Sequence, residues 1–278
     1  MADVSPPDTG NALETVISAD GTEIAYGRTG TGPPVVLVHG SGVSDHRRWD
    51  MADVRQTLAK QVTVYAMDRR GRGESGDTAP YSLEKEMQDV VAVVESIGEP
   101  VVLLGHSYGA NIALEVSLIT PSLQGFILYE PGIAVDDHQM SDTAAVSRMN
   151  GLLSAGKNEA ALMVFCRDIA GLSFEEIDAF RADPSWEDRV AGAHTLPREE
   201  AAIGEHELRP ARFAEMTTPT LLLSGGESPQ KFRDATKAVH EALPNSRIVS
   251  FEGQQHVAMT TAPTRFVDEV LAFVRETR

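Results

Sequence analysis

The chain has 278 residues, 42% of them hydrophobic, which suits one large single-core domain, or one domain plus an inserted lid, and argues against a multidomain array. Its 41 acidic and 24 basic side chains give a formal net charge of -17, which repels phosphate backbones and anionic headgroups and argues against nucleic acid and membrane surfaces as partners. The single cysteine, Cys166, excludes an internal disulfide and a multi-thiolate metal centre, and it reads as a small core hydrophobe.

In chain order, the first ten residues lack a basic region followed by an apolar core, and no apolar run reaches the roughly 18 residues of a spanning helix. A soluble, cytoplasmic protein is therefore expected. Thr15 to Ser18 and Glu23 to Tyr26 read as a hairpin joined at Asp20-Gly21, a dipeptide suited to a two-residue turn. Short apolar runs follow at Val35 to Val38, Val62 to Met67, Val101 to Leu104, Phe126 to Tyr129, Leu221 to Leu223 and Ile248 to Phe251. Their near-continuous apolar character predicts strands covered on both faces. Helical patterns lie between them at about Asp50 to Ala59, Leu83 to Ile97 with Ser82 as N-cap, Tyr108 to Leu118, Lys231 to Ala242 and Pro263 to Arg275. The alternation predicts an α/β fold, a mostly parallel sheet with helices on both faces.

From Ile133 to Met216 that rhythm breaks. The segment holds helical patterns at Ser141 to Leu153, Asn158 to Ile169, Ser173 to Arg181 and Glu187 to Ala193, and no convincing strand. A connection of roughly eighty residues is too long for a structureless loop in a compact domain. The expected organisation is a core of residues 1–132 and 217–278 with a helical cap over 133–216.

Gly105-His106-Ser107-Tyr108-Gly109 stands between an apolar strand and an Ala-rich helix. In that context the chain must turn from strand to helix within one residue, which leaves the Ser107 hydroxyl projecting at the carboxyl edge of the sheet. A serine hydroxyl is a weak nucleophile until a neighbouring imidazole takes its proton. His256, following the last strand at the same edge, is the candidate base; His39 and His106 read as loop-orienting residues, and the other histidines as surface or cap residues. A tetrahedral oxyanion needs preorganised donors, and the backbone amide after the nucleophile, that of Tyr108, supplies one.

Besides this elbow, His39-Gly40-Ser41-Gly42 follows the third strand, Asp68 to Ser75 (DRRGRGES) the fourth, and Gly253-Gln254-Gln255-His256 the last. In these motifs, their order and their spacing, nearly the whole chain resembles the α/β-hydrolase superfamily. The resemblance implies an eight-stranded, mostly parallel sheet whose second strand is antiparallel, with a variable cap inserted after the sixth strand. It assigns the second oxyanion donor to Ser41, with Gly42 as the fallback, sets Gly40 and Gly42 beside the substrate, and makes Asp68 to Ser75 a structural turn. The acid departs from the common Gly-x-x-Asp beyond the seventh strand, because Gly225-Gly226-Glu227-Ser228 has serine there. Glu227 is one substitute. Glu130, ending the sixth strand, is the other, at the position used by a minority of the family that includes zearalenone-type lactone hydrolases. A carboxylate ending an apolar strand is costly unless paired, which favours Glu130.

A serine at the elbow implies acyl transfer to water, with esters and lactones of medium-sized apolar compounds as substrates. Carbon-carbon bond hydrolysis and cofactor-free perhydrolysis are the alternatives within the fold, and a ligand-binding receptor is the non-enzymatic one. No cofactor motif or metal cluster is read, so no cofactor is expected. Met140, Phe165 and Trp186 are the cap residues expected to line the substrate pocket.

Overall fold

The computed structural model describes residues 13–43, 45–135, 142–206 and 208–278. Eight strands form one sheet: β1 (Leu13–Ile17), β2 (Glu23–Thr29), β3 (Pro34–Val38), β4 (Thr63–Met67), β5 (Val101–His106), β6 (Leu123–Tyr129), β7 (Thr220–Gly225) and β8 (Ser246–Phe251). Their order is β1-β2-β4-β3-β5-β6-β7-β8, with β2 antiparallel to both neighbours and the remaining pairs parallel. Successive residues of a strand face opposite sides, so an unbroken apolar run needs cover on both. Val36, Val38, Leu103 and Leu222 accordingly join one buried cluster, and Val35, Leu37, Val102, Leu104, Leu221 and Leu223 join the other.

In the core the helices are α1 (Val54–Leu58), α2 (Leu83–Ile97) and α3 (Tyr108–Val116). Helix α2 has the bounds expected from its signals: the Ser82 hydroxyl accepts from the Lys85 amide, and Gly98, at φ 76°, ends the helix. Between β6 and β7 the described residues form α4 (Thr143–Ser154), α5 (Asn158–Val164), α6 (Phe174–Ala182), α7 (Trp186–Ala191) and α8 (Leu196–Glu205), and no strand. These helices share a small core of their own that includes Met149, Leu162, Phe165, Ile177 and Leu196. After β7 come α9 (Gln230–Ala242), α10 (Ala258–Thr261) and α11 (Pro263–Glu276).

Three local expectations need correction. The hairpin loop is longer than a two-residue turn. The Gly21 amide donates to Ser18 and the Ser18 amide to Thr22, so Gly21, at φ 84°, closes a turn over Ala19 and Asp20. The helix expected over Asp50 to Ala59 survives only as α1, because Ala52 and Asp53 adopt left-handed φ values of 54° and 56°, and the residues before α1 form short 3-10 turns. Helix α8 was not among the expected helices; its Pro197 falls in the first helical turn, where the missing N–H costs nothing.

The elbow is held by backbone contact. A Cβ added at Gly105 would lie 2.3 Å from the Gly109 carbonyl oxygen, and one added at Gly109 would lie 2.3 Å from that of Val38. Since backbone cannot yield as a flexible side chain does, Gly109→Ala should lower the unfolding free energy by about 3 kcal/mol. Denaturant titration of the two proteins checks this; coincident midpoints would contradict it.

Candidate active site

Ser107 is the single residue between β5 and α3, with φ 54° and ψ -119°. Among the described residues only four that are not glycine have positive φ, and Glu130, at 46°, is another. Such conformations cost roughly 1–3 kcal/mol each and persist where surrounding contacts impose them. Here the Ser107 amide donates to the Tyr129 carbonyl at 2.8 Å, and the Glu130 amide to that of Leu223 at 3.1 Å. The ends of β5, β6 and β7 are thereby stitched together at one edge of the sheet.

Glu130 is fully buried directly after β6, and both carboxylate oxygens have partners. Its Oε2 lies 2.6 Å from Nδ1 of His256, while Oε1 accepts from the Gly225 amide at 2.7 Å and the Ser224 hydroxyl at 3.0 Å. Three donors offset the desolvation that makes a lone buried carboxylate expensive. With Nδ1 engaged, Nε2 is the imidazole nitrogen left to exchange a proton. Three further contacts hold the His256 loop. Phe232 stacks on the imidazole at 4.2 Å between ring centroids, Nε2–H of His106 donates to the His256 carbonyl at 2.9 Å, and the Tyr129 hydroxyl donates to that of Gln255 at 2.5 Å. Glu227 is exposed, and its amide donates to the Gln254 carbonyl. Ser228, at the position where the family commonly has its acid, is buried.

Burial, reinforced by His256 and Arg48, pushes the His106 pKa well below the ordinary value, so it acts as a neutral donor to the loop. Burial together with Arg69 and Arg72 does the same to His39. Its Nδ1–H donates to the Gly40 carbonyl at 2.9 Å, and its Nε2 accepts from the Arg69 amide, which orders the loop holding Ser41.

Tyr108 is the first residue of α3, and an N–H in the first helical turn has no acceptor within the helix. Its ring lies 4.3 Å from the Arg69 guanidinium, and its hydroxyl is 2.8 Å from that of Tyr81. The Ser41 hydroxyl donates to Oε2 of Glu199 on α8 at 2.5 Å. Burial works to raise the pKa of Glu199, but Arg69 and Arg72 outweigh it and hold the carboxyl below its usual range. Those two arginines lie 3.3 and 2.7 Å from it. A charged residue of α8 thus grips the loop that carries one candidate oxyanion donor, a contact spanning 158 residues of sequence that no motif announces.

Ser107 and His256 line a cavity of about 20 Å³ together with Ser41, Gly42, Phe165 and Phe180. A second cavity of about 30 Å³, on the Tyr108 and Asn111 side, shares Ser41, Ser107 and Phe165. Phe165 thus reaches the site from the helical segment between β6 and β7. Trp186 does not line either cavity and packs in that segment under the Arg181 guanidinium, while Met140 lies outside the described residues. A surface cleft of about 900 Å³ is lined by residues such as Asp45, Arg55, Asp68 and His194 and includes neither Ser107 nor His256. At its edge Asp45, His46 and Asp68 bring three potential ligand atoms within 4.8 Å of one another. Their partners are already protein groups: Asp68 takes the His46 amide and Nδ1, and Asp45 takes Arg47.

Residues 35–269 match the sequence family described as the Alpha/beta hydrolase family. An alpha/beta hydrolase structure from Sphaerobacter thermophilus is 35% identical at a TM-score of 0.77, over 91% of this chain and 99% of its own. The esterase RhEst1 from Rhodococcus sp. ECU1013, at 24% identity and a TM-score of 0.76, spans 96% of this chain and 100% of its own and shares the fold. An Acinetobacter baylyi protein described as (E)-2-((N-methylformamido)methylene)succinate hydrolase is 25% identical over 91% of this chain and 94% of its own.

Proposed function

The chain belongs to the alpha/beta hydrolase family, and from that premise we propose that it is a serine hydrolase cleaving a carboxylic ester or lactone through an acyl-enzyme. The observation that carries the reading is the Glu130 carboxylate, buried at the sheet edge, with one oxygen 2.6 Å from Nδ1 of His256 and the other held by Ser224 and Gly225. Ser107 and His256 line one cavity, as the chemistry requires.

In this reading Oγ of Ser107 attacks the carbonyl carbon while Nε2 of His256 takes the hydroxyl proton. Glu130 stabilises the resulting imidazolium and keeps its Nδ1–H pointed inward. Negative charge on the former carbonyl oxygen falls to the backbone N–H groups of Ser41 and Tyr108. Collapse breaks the ester C–O bond, and the departing alkoxide recovers the proton from His256. Water then attacks the acyl-serine with His256 again taking the proton; the acid leaves and Ser107 is reprotonated.

Cavities of about 20 and 30 Å³ hold about one water each, so substrate enters as the cap moves away from the sheet edge. Phe165, Ile169, Ala170 and Ile203 supply apolar wall on the Tyr108 side, which suits the hydrocarbon part of an ester. Steady-state hydrolysis of 4-nitrophenyl esters graded from acetate to decanoate, beside a panel of lactones, tests the proposal. Turnover of at least one series, unaffected by a metal chelator, is the expected result. A folded protein that hydrolyses none of them would count against it.

A further inference from the structure

Arg48, one residue before the buried Trp49, is itself only 1% exposed. Its Nη1 donates to the Thr260 hydroxyl at 2.8 Å and approaches Sδ of Met51 at 3.4 Å, whereas Nε and Nη2 have no hydrogen-bond partner. Among the described residues no carboxylate lies within 4.0 Å of this guanidinium. Arg69 and Arg70, equally buried, each have one at 2.6 or 2.7 Å. Arg189 adds a second cation nearby: it too is buried, bonds to Ser185 and to the Gly42 carbonyl, and shares the Phe180 ring with Arg48.

Asp183 and Glu176 act on this guanidinium only from beyond ion-pair contact. A desolvated guanidinium with no carboxylate in contact is a costly arrangement in a protein, and an anion at its open edge would offset that cost. Nε and Nη2 are the two nitrogens on one side of the planar group, whose N–H bonds run parallel and match the oxygens of a carboxylate. Arg48 lines the same cavity as Ser107, His256 and Phe180. Burial, and then the neighbouring Arg189, push its pKa down to about 9, which leaves it cationic at neutral pH. The net charge of -17 does not oppose this, because charges beyond a Debye length of about 10 Å are screened while a buried cation at contact is not.

We infer that Arg48 holds a carboxylate of the substrate, so that the preferred ester or lactone carries a second, free carboxyl group on the portion lodged between Phe180 and the nucleophile. The inference rests on the serine-hydrolase reading of the same site and adds the substrate class to it.

The test compares monoethyl esters of the straight-chain dicarboxylic acids from succinate to suberate with neutral ethyl esters of the same chain length, following ethanol release. At the best-fitting length the half-ester is expected to have a kcat/KM at least tenfold above its neutral counterpart. Arg48→Gln and Arg48→Met should bring that ratio to within about threefold of unity. Two variants are used so that one folding failure does not remove the comparison. If both fail to fold, the ratio in the parent enzyme decides. Preference for the neutral ester at every length, or a ratio unchanged in a folded variant, overturns the inference. If no ethyl ester is turned over, the readout becomes the rate at which a fluorophosphonate labels Ser107. Hexanoate should slow labelling at least tenfold more than hexanamide at equal concentration, and equal protection overturns the inference. Labelling at Ser107 without any carboxylate preference leaves the serine-hydrolase reading standing. Absence of labelling at Ser107 removes that reading, and this inference with it.

Discussion

Replacing Ser107 by alanine is expected to lower kcat by at least about 10⁴-fold on any ester the parent enzyme cleaves, with the unfolding transition unchanged. The loss is large because the oxygen removed forms the covalent bond, and no neighbouring group takes its place between β5 and α3. Stability should be spared. Alanine fits the same space, and the φ of 54° is imposed by backbone bonds, from the Ser107 amide to the Tyr129 carbonyl and from the Ala110 and Asn111 amides to the Ser107 carbonyl, that do not involve the hydroxyl. Steady-state kinetics beside a thermal melt checks both halves. An alanine variant with a tenth or more of the parent rate would exclude Ser107 as the nucleophile.

Glu130→Gln should lower kcat by 10² or more, equivalent to about 2.7 kcal/mol of barrier. The geometry explains the size. If the glutamine oxygen stays on the Ser224 hydroxyl and the Gly225 amide, its NH₂ group faces Nδ1 of His256. That arrangement sets donor against donor unless the imidazole moves its proton to Nε2, the nitrogen that has to accept from serine. The negative charge that stabilises the imidazolium is lost as well. Glu227→Gln, at an exposed side chain, should cost less than tenfold. Comparing kcat for the two variants on one ester, after confirming equal melting transitions, decides between them. The reverse order would move the acid behind β7.

The central strands were legible because they are buried on both faces and so have no polar alternation to obscure them; β3, β4, β5 and β7 fall on their apolar runs, whereas β8, read the same way, is only half-buried. Helix α2 was legible to the residue because a serine cap and a terminal glycine bracket it. The first helix was not, because nothing in its composition announces the left-handed pair Ala52 and Asp53. At the candidate site, residues belonging to a local motif could be named in advance: the elbow serine, the loop after β3, the histidine after β8. Glu130 was one of two candidates, beside Glu227, drawn from the position that a minority of the resembled family uses and favoured by the cost of an unpaired carboxylate there; its contact with His256 appears only in the structure.

Residues whose role depends on long-range packing left no such trace. Glu199 sits in a helix whose leading Leu196-Pro197 hides its start, and it meets Ser41 only through the folded cap. Arg48 looks like one more charge in the run His46-Arg47-Arg48. Its neighbour Arg47 is half exposed and pairs with Asp45 and Asp188, and only tertiary structure turns Arg48 inward, where among the described residues its Nε and Nη2 find no hydrogen-bond partner. Trp186 shows the reverse failure. A large apolar residue in a cap suggests a pocket wall, but cap helices also need a core, and Trp186 packs against the one they share.

Serine-hydrolase chemistry at this sheet edge requires Ser107 to be an activated nucleophile. Treating the native protein with a fluorophosphonate, digesting it and mapping the adduct by mass spectrometry tests this directly. One adduct per chain, located on Ser107 and lost when the protein is unfolded before treatment, is the predicted result. An adduct on another residue, or none on a folded protein, would contradict it.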